Sequence, residues 1–235
     1  MDFDALINKL DKISNDDNKN LLLKNSIGNQ IEWFQIKKIL VLYQTNKRIE
    51  CLKLILDSSK IIHLLDVNLI DILELYLDDK NILSAINILL KYIKIINGQI
   101  LLIILNKISS DLYKLEALHY LIKKSNCQFD EVLSLIQNFS NDSLKFDALK
   151  IFVNNYLIET LNNEQLCKII EIFKSNLIKT LIIEYLKDNI SRTPFLLQDN
   201  FCKRLSELID EQDLYYQALS YLYINKQFIE KNKPI

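Results

Sequence analysis

Two histidines, four cysteines and two short acidic stretches are the residues in this chain whose types could do chemistry. His63 stands in Ile61-Ile62-His63-Leu64-Leu65, an apolar run in which an imidazole is expected to be partly buried and satisfied. His119 follows Ala117-Leu118 at a position that reads as outward-facing. Zinc sites draw on clustered His and Cys at fixed spacing, and no HxxxH, HExxH or CxxC is present. Cys51, Cys127, Cys167 and Cys202 are widely separated and read as unlinked thiols of a reducing compartment. Asn15-Asp16-Asp17-Asn18 and Asp78-Asp79 lack the alternating ligands, central glycine and terminal Glu of an EF-hand loop. They read as solvated turns between helices. Only two glycines occur, so no phosphate-cradling loop can be built, and no GxSxG elbow exists. The expectation is a protein without catalytic residues, metal or cofactor.

Aromatic residues offer a second kind of site. Trp33, in Ile31-Glu32-Trp33-Phe34, reads as a core or cap residue. Tyr215, Tyr216, Tyr221 and Tyr223 cluster near the C-terminal end of the sequence. Tyrosine favours interfaces, so Tyr215 and Tyr223 are the candidate protein-contact residues.

The elements that must position these residues follow from composition and repeats. Gly and Pro occur twice each in 235 residues, and 49% of the chain is apolar. A β-rich protein needs many turn glycines and prolines, so helices joined by short polar turns are expected. The dominance of Ile, Leu, Lys and Asn suits codons rich in A and T.

A seven-residue phrase recurs six times: apolar, polar, small, Leu or Ile, variable, Ile/Leu/Tyr, and usually apolar. Its copies begin at Ile49, Leu83, Leu115, Phe146, Ile178 and Tyr216. The small residues are Cys51, Ala85, Ala117, Ala148, Thr180 and Ala218, spaced 34, 32, 31, 32 and 38 apart. Every Ala except Ala5 sits at this position. Helix propensity alone does not place Ala at one phase, whereas close helix packing does. A period of this size marks a helical repeat array.

Each phrase follows a polar turn and an earlier apolar-periodic segment. Around the third copy, Ile100, Ile103, Ile104 and Ile108 form one expected stripe and Leu112, Leu115, Leu118 and Leu121 the next. Ser109-Ser110-Asp111 between them offers N-cap chemistry. In the following unit the stripes are Val132, Leu135, Ile136 and Phe139, then Leu144, Leu149 and Phe152. The fold class read from this is all-α: a helical-hairpin array, or α-solenoid, of about six αα units of 31–38 residues. Residues 1–235 read as one repeat domain, with 1–27 an N-terminal cap or degenerate repeat. Ser191-Arg192-Thr193-Pro194 predicts an interrupting loop over 191–199, and 231–235 a frayed tail. Gly28 and Gly98 fall where helix C-caps are expected.

Ile108-Ser109-Ser110-Asp111-Leu112-Tyr113-Lys114-Leu115-Glu116-Ala117-Leu118 and Phe139-Ser140-Asn141-Asp142-Ser143-Leu144-Lys145-Phe146-Asp147-Ala148-Leu149 resemble a helical repeat family known only as a domain of unknown function. That family occurs in animal proline-rich proteins and scattered bacterial and viral proteins. The resemblance implies a helical fold and no activity.

Charge and hydropathy narrow the function classes. There are 29 basic and 30 acidic residues, and only three arginines. A nucleic-acid binder usually carries a basic excess or stripe, so that reading is disfavoured. Apolar runs such as Ile100–Leu105 are too short to span a bilayer, and Met1-Asp2-Phe3-Asp4 does not begin a signal peptide. A cytoplasmic location is expected. Helical arrays present extended surfaces to other proteins. The expected function is a non-enzymatic protein-interaction or scaffold module with another protein as partner. The alternatives are a self-assembling structural homo-oligomer and, less favoured, a nucleic-acid-binding repeat.

Overall fold

The structure, a computed structural model, describes residues 2–27, 31–59, 66–155, 161–189 and 199–231; the side chains of 66–67, 188–189 and 223–231 are not described. The positions of Gly28, His63 and the expected 191–199 loop lie outside the described residues, apart from Asp199. So do 232–235 and the Tyr223 side chain. Fourteen α-helices lie among the described residues, paired along the chain. The pairs are α1 (Phe3–Asp11) and α2 (Asp16–Ser26), α3 (Trp33–Val41) and α4 (Arg48–Ser58), α5 (Asp66–Leu73) and α6 (Asp79–Leu89), and α7 (Gly98–Asn106) and α8 (Asp111–Leu121). They continue with α9 (Phe129–Gln137) and α10 (Asp142–Asn154), α11 (Asn163–Glu171) and α12 (Asn176–Asn189), and α13 (Asp199–Leu208) and α14 (Gln212–Lys231). Two 3₁₀ turns, Thr45–Lys47 and Ile122–Lys124, and two strand pieces of two residues each, Ile96–Asn97 and Ser125–Asn126, complete the described elements.

The chain divides into two compact units, Met1–Ser125 and Asn126–Ile235. In the first, α1, α3, α5 and α7 pack one on the next, and α2, α4, α6 and α8 do the same. In the second, α10, α12 and α14 pack in succession and α11 packs on α13. This is an all-α helical-hairpin repeat array. All six copies of the phrase fall on the second helices, α4 to α14. Hairpin α1–α2 lacks the phrase and occupies the residues expected as a cap or degenerate repeat.

The helices are short, so packing rather than propensity must hold them. The small positions Cys51, Ala85, Ala117, Ala148 and Ala218 are fully buried. The copy in α12 reads differently in three dimensions. Ile182-Ile183, not Thr180-Leu181, stands in register with Ala148-Leu149 and is buried. Thr180 is buried too, with its hydroxyl donating to the carbonyls of Asn176 (3.1 Å) and Leu214 (3.4 Å).

Four stripe assignments shift as well. Helix α7 buries Leu101, Ile104 and Leu105, while Ile103 is exposed. Leu112 is exposed at the start of α8, which buries Ala117, Leu118 and Leu121. Ile108 and Phe139 lie beyond the ends of their helices. Each plugs the corner of its hairpin, its amide donating to the carbonyl three residues back. Tyr43, Tyr76 and Phe173 repeat this geometry, and all five are buried. Gly98 is the first residue of α7, not a C-cap, because the Asn97 side chain accepts the Ile100 amide and starts a helix there.

Candidate functional site

Within each of the two units, neighbouring hairpins are joined at their turns by a polar clamp built from the start of α2, α4, α6, α10 and α12. In α10 the Asp142 carboxylate accepts the amides of Lys174 and Ser175, each at 2.7 Å. One turn on, Lys145 donates to the Ile172 carbonyl at the end of α11 (3.0 Å). In α2, Asp16 accepts the Gln44 amide (3.2 Å) and Lys19 donates to the Leu42 carbonyl. In α12, Asn176 donates its side-chain amide to Asp210, and Lys179 donates to the Leu208 carbonyl. Helix ends leave carbonyls and amides without intrahelical partners, and the clamp supplies those partners from the preceding hairpin. A cation at a helix C-terminus also complements the macrodipole.

Two junctions carry half of the clamp. Arg48 of α4 donates to the carbonyls of Tyr43 and Leu75, with no acid beside it at Thr45. Asp79 of α6 accepts the Ser109 and Ser110 amides (2.8 and 2.7 Å), and Ile82 stands where the lysine would be. Ser110 precedes α8 but makes no side-chain cap bond, so the expected N-cap chemistry is not found there, and Asp79 holds instead the two amides that precede the helix. The acidic stretches are therefore only partly solvated. Asp16 is buried and Asp79 half-buried, while Asn15 and Asp78 cap their helices in the ordinary way. Burial of Asp16 beside Lys19, at 3.2 Å, is tolerable because both charges are hydrogen-bonded.

The groups with reactive chemistry are held quiet or apart. His119 is exposed, edge-on to Tyr120 with ring centres 6.4 Å apart. The Tyr120 hydroxyl donates to Glu116 (2.9 Å), and this bond raises its pKa. Cys51, Cys127 and Cys167 are buried, Cys202 is half-buried, and no disulfide joins them. Burial pushes the Cys51 thiol up to about 12, against a smaller lowering by the Tyr43 hydroxyl. Tyr43 and Tyr76 are raised by burial too. Cys167 is raised by burial, so both thiols stay protonated at neutral pH and are poor nucleophiles. Among the described residues no three His, Cys, Asp or Glu side chains gather to hold a metal ion. No helix of the described residues is long and apolar enough to cross a membrane.

A polar cleft of about 410 Å³ opens at the turns of the first two hairpins, lined by Ser14, Asn15, Asp16, Asp17, Gln44 and Lys47. Lys47 reaches Glu50 at 3.1 Å and Asp17 at 3.8 Å across its rim.

Exposed apolar side chains form a different feature. Leu177 and Leu181 stand one turn apart on α12 and are 56% and 40% exposed. Tyr216, on the adjacent α14, is 58% exposed. Tyr215 is half-buried, its hydroxyl donating to the Cys202 carbonyl (3.3 Å) and its ring centre 5.5 Å from that of Tyr216. Alongside, the Phe146 ring meets Tyr185 edge-on at 5.8 Å, and Lys150 and Lys187 lie over Phe146 and Tyr221 at 4.2 and 5.3 Å. The first helices look different. Lys37–Asp71 (3.0 Å), Lys107–Glu74 (3.2 Å) and Arg204–Glu171 link neighbouring first-helix segments by ion pairs. Trp33 is buried edge-on to Tyr92, with ring centres 6.0 Å apart.

Sequence reasoning missed the clamp. Its signal was an Asp or Asn followed three residues later by Lys: Asp16/Lys19, Asp142/Lys145 and Asn176/Lys179. The chain matches no protein-family model, no curated protein and no solved structure.

Proposed function

We propose that this chain is a non-enzymatic interaction or scaffold module whose partner is another protein. The observation that carries this reading is the exposed trio Leu177, Leu181 and Tyr216 on two packed second helices. Neighbouring apolar and aromatic side chains left in water gain about 25 cal/mol per Å² when a partner covers them. Tyrosine and leucine beside half-buried lysines suit a protein surface with both apolar and acidic groups. Lys19, Lys145 and Lys179 are turned onto backbone carbonyls, which removes them from any phosphate-binding stripe.

The test is a crosslinked pull-down of the tagged protein from its native cell, identified by mass spectrometry, beside the triple variant Leu177→Ser, Leu181→Ser, Tyr216→Ser. A foreign protein captured by the parent and lost by the variant supports the proposal. Capture that survives in the variant refutes this surface. The same trio could equally cover itself in a second copy. Self-links alone, with a mass that rises with concentration in light scattering, would replace the scaffold reading by homo-assembly.

A further inference from the structure

We draw no further inference here: the strongest candidate, the turn edge of the first hairpin, where Ser14 and Asn15 stand in the positions whose amides the sixth hairpin gives to a neighbouring Asp, is a helix N-terminus beside the exposed stripe of α2 (Asp17, Asn18, Leu21, Lys24 and Asn25), and nothing in the structure shows what covers it.

Discussion

The junction after α10 and the junction after α6 solve one problem with different residues. After α10, Asp142 and Lys145 hold both the amides and the carbonyl of the next turn. After α6, Asp79 holds the amides alone, and an isoleucine, Ile82, takes the lysine's place and is buried. Beneath both turns sits a buried plug, Phe173 in one and Ile108 in the other. The acid and the cation are thus separable, while the apolar plug is present in each. The difference teaches that burial holds the stack and that the polar clamp sets the seating of one hairpin on the next. Hydrogen bonds contribute modestly net, but are costly to leave unmade.

The strongest way to break the comparison is to empty the plugs. Phe173→Ala should lose about 3–5 kcal/mol and Ile108→Ala about 2–5 kcal/mol in urea denaturation. A loss at one junction and none at the other would end the claim that the plug is common ground.

Next in size is the acid. Asp142→Ala and Asp79→Ala should each cost about 1–3 kcal/mol, because each strands two turn amides. Equal costs would show that the acid works without its lysine. A much smaller cost at Asp79 would mean that the two halves of the clamp act only together. Lys145→Met isolates the cation, and should cost less than Asp142→Ala because a single carbonyl is left to water.

At neutral pH the smallest effect belongs to Cys51, which takes the alanine position in the second hairpin. Its thiol is held protonated in the folded state up to about 12, against an ordinary value of 9.0. The unfolded chain therefore loses this proton first. Stability should be level below about pH 9 and fall as pH rises from there towards 12. Cys51→Ala should flatten part of that fall in pH-dependent denaturation. An unchanged alkaline slope would show that the thiol does not contribute. Tyr43 and Tyr76, also raised, add to the fall at the upper end of the window.

The second helices were the legible part of this fold. Ala85, Ala117, Ala148 and Ala218 recur at one helical phase, and that local pattern survives in one dimension. The first helices were harder to read. Helix α7 is apolar nearly all round, so periodicity could not separate the buried Leu101 and Ile104 from the exposed Ile103. Thr180 drew the fifth copy two residues out of register, because a buried Thr with its hydroxyl bonded looks, in sequence, like a small packing residue.

What the sequence by itself determined is the class and the period: helices, because turn formers are scarce, and an array, because one small residue returns at a nearly constant interval. Which polar residues join the hairpins was decided only in the tertiary structure. Asp142 and Ser175 lie a whole repeat apart along the chain, and a carboxylate that caps its neighbour's turn is indistinguishable in sequence from one that faces water. The same limit hid the exposed trio Leu177, Leu181 and Tyr216. Whether an apolar side chain is covered depends on the element beside it, and composition does not carry that geometry.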